Sequence, residues 1–356
     1  MSRNGTSEEA ERLVEEAARA FDAGDPERAL ASAEAACAAA PRSVAALHYR
    51  AAALAELDRT DEAREAYERA LEAGPDDLDL VLGAADFHVN RQPGGEPDRE
   101  WLERGLDLAR RGGRRARRAR ADELAAELAL VEGMALGQLG DARAALERIE
   151  AALEGLPGDL DALLERGFAL YELCRFDEAR RQLQEVVKRS PGEAWAHHTL
   201  GLLAERRGDA REAERRFERA RRLAPGDFPQ PVHLSPSAFD AVVEEALASL
   251  PDPIRRYLAN VAIAVEDLPA DDDLLASDPP LSPSILGIFR GSPLGQKGSM
   301  DPWSHFPSSI VLYQRNLEAF ARDRKDLVEQ IGITLIHEVG HFLGLDEEQL
   351  WERGLE

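Results

Sequence analysis

The sequence predicts a two-domain α+β protein, with an N-terminal all-α repeat array and a small C-terminal domain of mixed helices and strands. Three observations carry this. A 34-residue recurrence runs through the first two thirds, a proline-rich joint stands where it stops, and short β-rich runs followed by a long helical run lie beyond the joint. A length of 356 residues suits two domains, each able to bury a core of its own.

The recurrence is phase-locked in two residue types. Pro41 and Pro75 are 34 residues apart, as are Pro157, Pro191 and Pro225 in succession. Ala29 and Ala63 keep the same interval, as do Ala145, Ala179 and Ala213. The clearest copy, residues 194–227, places Leu200 and Gly201 in a first helix, Ala213, Phe217 and Ala220 in a second, and Pro225 at its end. The glycine recurs as Gly133 and Gly167, and the large residue as Tyr67, Ile149 and Leu183. A small residue lets two helices approach while the larger one fills the space between them. Gly24-Asp25, Gly140-Asp141 and Gly208-Asp209 mark the turns. Ala63 and Ala145 are 82 residues apart, more than two periods, so one repeat is degenerate and carries an insertion.

The pattern resembles the tetratricopeptide repeat, a 34-residue helix pair closed by proline. Residues 1–227 then hold about five clear repeats and one degenerate repeat with an insertion at 90–120. Such solenoid arrays leave a concave groove suited to peptide segments, which implies a protein partner. Some members clamp a C-terminal carboxylate with Lys and Asn; Asn90 is the only Asn between residues 5 and 259, so that mode is not expected. The insertion contains RRGGRRARRAR at 110–120, whose seven arginines are expected to form a solvated helix end and linker paired with acidic groups of this chain.

Charge excludes several functions. With 44 Lys+Arg against 68 Asp+Glu the chain carries a formal net charge of -24, which repels phosphate backbones and anionic lipid, so neither a nucleic acid nor a membrane is an expected partner. No apolar stretch has the roughly 18 to 20 residues of a bilayer span. The segment MSRNGTSEEAERL lacks the apolar core of a secretory signal, and Cys37 and Cys174 are two isolated thiols. The expectation is a cytoplasmic protein with reduced, structural cysteines.

After Pro225 the beat stops at GDFPQPVHLSPSAF, and the domain boundary is placed there, with 228–236 as linker and 237–356 as the second domain. Residues 226–356 hold 22 Asp+Glu and 9 Lys+Arg, so the charge is densest here. Residues 237–250 have helical spacing with Ser237 as a plausible N-cap. β-rich runs follow at 260–267, 285–291 and 309–315. The acidic, proline-containing stretch between the first two is expected to be an exposed loop. A helical run then covers 326–344, ending at Gly344.

That run contains His337-Glu338-Val339-Gly340-His341, an HExxH motif. Residues four apart share a helix face, so both imidazoles can bind one Zn²⁺. Zinc lowers the pKa of a bound water, and Glu338 is placed to take its proton and pass it to the leaving amine. Glu347 stands ten residues after His337, giving HExxHxxGxxE, and this spacing resembles the extended zincin motif whose last position supplies the third ligand. Glu347 is therefore the first candidate, with Asp346, Glu348 and Glu352 as alternatives. With 15 residues after His341, the third ligand is expected close behind the helix rather than on a distant glutamate helix.

Taken with FDAVVEEALASLP, NVAIAVED, ILGIFRG and SIVLYQRNLE, the motif makes residues 237–356 resemble the small bacterial zincin-like metallopeptidases called minigluzincins. The resemblance implies a small mixed sheet on the active-site helix, with an edge strand that binds extended substrate. ILGIFRG and SIVLYQR are the candidates for that strand, and Tyr313 and His305 are weighed as oxyanion partners against the alternatives of a strand aromatic and an exposed loop residue. Family members commonly have Asp where Glu347 stands. The resulting expectation is a zinc metallopeptidase acting on a peptide or protein substrate, with repeats for protein recognition. The alternative is a non-catalytic repeat adaptor with a structural or regulatory metal.

Overall fold

In each regular repeat one residue with left-handed backbone sets the turn between two helices. Gly24 (φ 70°), Asp58 (54°), Gly140 (86°), Cys174 (56°) and Gly208 (74°) each stand immediately before the N-cap of a second helix. At three of these turns the next residue is an aspartate whose carboxylate accepts from the backbone N–H three residues on: Asp25, Asp141 and Asp209. The computed structural model describes residues 3–91, 98–259, 261–291, 308–345 and 349.

The helix pairs are α1 (Arg3–Asp22) with α2 (Pro26–Ala39), α3 (Val44–Glu56) with α4 (Thr60–Ala73), α5 (Leu78–Asn90) with α6 (Arg99–Ala119), α7 (Asp122–Gln138) with α8 (Ala142–Gly155), and α11 (Ala194–Arg206) with α12 (Ala210–Leu223), while α9 (Leu160–Glu172) and α10 (Phe176–Arg189) follow one another in the chain between them. The chain divides into two compact units, Met1–Leu170 and Tyr171–Glu356.

In the first unit, buried alanines let successive helices close on one another, among them Ala29, Ala33, Ala36, Ala63, Ala66 and Ala70. The small-large pairing expected from the repeat is present: a Cβ on Gly133 would stand 2.6 Å from Ile149 Cγ1. The arginine-rich segment differs from expectation. It is no linker, because residues 99–119 form one continuous helix whose Gly105, Gly112, Gly113 and Ala116 face inward. Glycine costs helix stability of roughly 1 kcal/mol per residue, but a Cβ at Gly112 would lie 2.8 Å from Val81 Cγ1, so tight packing against α5 outweighs that cost. The arginines do pair within the chain, Arg110 with Glu132 at 3.1 Å, Arg111 with Asp107 at 2.7 Å, and Arg115 with Asp76.

The second unit holds α10–α12 and the C-terminal module. Gly201 packs on Phe217, and Phe228 covers Ala194 and Ala220 at the end of the last repeat, edge-on to Trp195 and stacked on His198. The module continues as α13 (Pro236–Ser249), α14 (Asp252–Leu258), β1 (Ala262–Glu266), α15 (Asp271–Leu274), β2 (Gly287–Arg290), β3 (Ser309–Tyr313), α16 (Gln314–Phe320) and α17 (Arg324–Leu343). Ser235, not Ser237, caps α13 through a bond from Ala238 N–H, because Pro236 suits the first helical position, where no N–H is needed.

Among the described residues the sheet has the order β1-β3-β2, with β1 parallel and β2 antiparallel to β3. Ile263, Val265, Phe289, Ile310 and Leu312 turn towards α13 and α17, where Phe239, Val242, Ile331, Leu335 and Val339 complete the core. Side chains alternate along a strand, so Glu266, Arg290, Val311 and Tyr313 lie on the opposite face. The acidic stretch expected as an exposed loop covers that face: it contains α15, and Leu274 is fully buried. Among the described residues no helix is long and apolar enough to cross a membrane.

Candidate metal centre

Leu327, Ile331, Leu335 and Val339 recur at intervals of four and bury one stripe of α17, which fixes the helix against the sheet. Asp323 caps its start by accepting from Asp326 N–H at 2.9 Å. At its end Gly344 takes φ 89°, and its N–H together with that of Leu345 closes on Gly340 and His341 carbonyls. This turn brings the Leu345 carbonyl to 3.1 Å from His341 Nδ1. A carbonyl only accepts, so Nδ1 carries a proton, and of the two neutral tautomers this is the one that leaves the lone pair on Nε2.

His337 and His341 stand one turn apart with their Nε2 atoms 3.1 Å from each other and their ring planes at 83°. A tetrahedral ion with nitrogen bonds of about 2.0–2.1 Å would hold two such atoms roughly 3.3 Å apart. The imidazole pair therefore fits a Zn²⁺ ion. Glu338 lies in the same turn with 5% of its surface exposed, so its carboxylate is sheltered beside the half-buried histidines. Among the described residues no three His, Cys, Asp or Glu side chains gather as a complete metal cluster. Glu347, Asp346, Glu348 and Glu352 lie outside the described residues, as does His305.

β2 runs beside this helix. A Cβ on Gly287 would stand 2.7 Å from Thr334 Cγ2, one turn before Glu338, and the Phe289 ring lies 5.7 Å from that of Phe342. Of the two strands considered for the sheet edge, ILGIFRG is there as β2, whereas SIVLYQR is the central β3 and has both its edges paired. Tyr313 is wholly buried in β3, with its hydroxyl 3.4 Å from Asp273 Oδ2 on the face away from α17. It is a core aromatic rather than an oxyanion partner, and burial raises its pKa above the ordinary phenol value.

The cysteines are free thiols. Burial pushes Cys174 up to about 11 and moves Cys37 in the same direction, which leaves both as poor nucleophiles. Sequence reasoning missed that Cys174 occupies the left-handed turn position filled by glycine in three other repeats; its place in the 34-residue register was the available signal.

Comparison with known proteins agrees with this geometry. Residues 258–355 match the family described as zincin-like metallopeptidase, and residues 14–77 and 136–205 match tetratricopeptide repeat families. No curated protein matches the chain. Among solved structures, Pseudomonas aeruginosa PilF is similar with a TM-score of 0.51 and 18% identity, over 67% of this chain and 99% of that one. PilW, described as a widely conserved type IV pilus biogenesis factor, is similar with a TM-score of 0.52 and 17% identity, over 61% of this chain and 94% of its own. At such identities the likeness concerns the fold alone.

Proposed function

We propose that this chain, which carries tetratricopeptide repeats and a zincin-like metallopeptidase domain, is a zinc-dependent peptidase of the cytoplasm. Residues 237–356 form the hydrolytic domain, residues 1–227 recruit a protein substrate or partner, and 228–236 link them. The observation that carries the reading is the convergence of His337 and His341 Nε2 atoms at 3.1 Å beside a buried Glu338.

His337, His341 and Glu347 hold the zinc. Leu345 lies two residues before Glu347, and its bond to His341 keeps the chain against the histidines, which supports a ligand from this segment. When bound, the ion polarises the scissile carbonyl and acidifies water. Glu338 accepts the proton of the attacking water and delivers it to the departing amine. Leu345 holds His341 in the tautomer that leaves Nε2 available. β2, as the sheet edge beside α17, offers backbone groups to an extended peptide. The -13 balance of residues 226–356 favours basic peptides by steering them in, with strong salt dependence.

Glu338→Gln is expected to keep stoichiometric zinc and to abolish cleavage of a peptide library, and wild-type products are expected to vanish on chelation. Retained cleavage by the variant overturns the role of Glu338. Zinc uptake by the wild type with no chelator-sensitive product assigns the chain to the repeat-adaptor class instead.

A further inference from the structure

The last repeats are built into the back of the sheet. Arg206, at the end of α11, has 9% of its side chain exposed, and its Nη2 donates to Pro269 O at 3.1 Å and Asp271 Oδ1 at 2.7 Å. Its guanidinium lies 4.5 Å above the centre of the Phe176 ring, at the start of α10. Cys174 Sγ donates to Leu281 O at 3.5 Å, and the side chains of Glu172 and Tyr171 bond those of Ser282 and Ser284. Both limbs of the 267–284 segment are thus held by the repeats. The bond from Leu281 N–H to Leu274 O, 2.9 Å, ties the two limbs together.

The same segment grips β2. Asp273 accepts from Arg290 Nε at 3.0 Å and from its Nη2, while Glu266 accepts from Nη1 at 2.7 Å. Arg290 is the last residue of the edge strand, and this pairing lies on the sheet face turned away from α17. The segment therefore does not cover the histidines; it braces the strand beside them from behind. Among the described residues β2 has only β3 as a strand partner, and an edge strand of four residues has few ladder bonds of its own to hold it.

We infer that Arg206 is a positioning residue for the edge strand: through Asp271, α15 and Asp273 it holds Arg290, and with it the line along which an extended substrate lies. This rests on the peptidase reading for its effect on substrate but not for its structural content. The link runs through two carboxylates and two guanidinium groups, so it carries force as a set of fixed hydrogen bonds rather than as diffuse apolar packing. It also makes the repeats part of the substrate line and more than a tether for partners.

Hydrogen exchange on the full chain tests this without activity. In Arg206→Ala, amides of residues 271–281 and of 287–290 are expected to exchange at least tenfold faster, with those of α17 unchanged. Asp271→Ala, whose side chain is 68% exposed and whose loss cannot unfold the core, is expected to do the same more weakly. Faster exchange confined to 269–274 in both variants, with 287–290 unchanged, overturns the inference. Where peptide cleavage is measurable, KM is expected to rise at least threefold with kcat within twofold of wild type. A fall in kcat at constant KM overturns the positioning role. If no cleavage occurs in any form, the peptidase reading fails while the exchange result still decides the inference.

Discussion

Gly287 and Thr334 meet where the edge strand crosses the histidine helix, and a Cβ added at 287 would stand 2.7 Å from the threonine methyl and 3.0 Å from Val311 O. No methyl-sized space exists between the two elements at that point. Gly287→Ala is expected to push β2 from α17 and to destabilise the chain by about 1–3 kcal/mol. Thr334→Ser, which removes the methyl, is expected to restore part of that loss. Denaturant titration of the single and double variants measures both.

The histidine pair and the turn behind it are separable. His337→Ala and His341→Ala are each expected to lower zinc affinity by more than about 100-fold, beyond the effect of losing a supporting hydrogen bond. Gly344→Ala forces a side chain into φ 89°, at a cost of about 1 kcal/mol, and moves Leu345 O from His341 Nδ1. A loss of roughly 10-fold is expected there. Competition against a chromophoric chelator ranks the three, and stoichiometric tight zinc in the double histidine variant would sink the metal assignment.

Glu165 gives the repeats a pH signature. Burial first, and Asp161 second, push its carboxyl up to about 7. A folded pKa above the unfolded value means that its contribution is intact below the ordinary carboxylate range and is lost as pH rises towards 7. Glu165→Gln is therefore expected to gain up to roughly 3 kcal/mol at pH 8 and nothing at pH 4. His88 and His198 act in the other direction. Burial lowers both to about 4, so their neutral forms stabilise the fold above the usual imidazole range, and that stability is lost as pH falls towards 4. Unfolding curves at the two pH values distinguish the sites.

Cys174 is expected to resist alkylation at pH 8. A thiol at about 11 has roughly 100-fold less thiolate than one at the reference value of 9.0. Mass spectrometry after timed iodoacetamide exposure should find it largely unmodified in the folded chain and fully modified in denaturant. Rapid native labelling would contradict its contact with Leu281.

Much of this fold is legible because repeats and helices write themselves locally. The prolines and alanines at 34-residue intervals report packing that every copy shares, and HExxH reports one helix face. The unread parts depend on distant partners. Gly112-Gly113 looks like a helix breaker until Val81 and Leu128 are seen to press against it. The run DDDLLASD reads as solvated, yet Leu274 fills the back of the sheet and Asp273 binds Arg290. Strand order was equally hidden, because β1 pairs with β3 from Ala262 to Ser309, and no local pattern encodes which of three short runs is central. Of the candidate ligands, His337 and His341 come together as their spacing implies.

Phe228 gives the last repeat a different significance. A helix pair ends in an apolar face that invites another pair, and molecules with two such open ends can join head to tail into fibres. Here the aromatic ring lies on Ala194 and Ala220 and is clasped by Trp195 and His198. A neighbouring molecule would have to evict the protein's own residue before it could add a repeat at this end. One side chain thus occupies the place that a further helix pair would take.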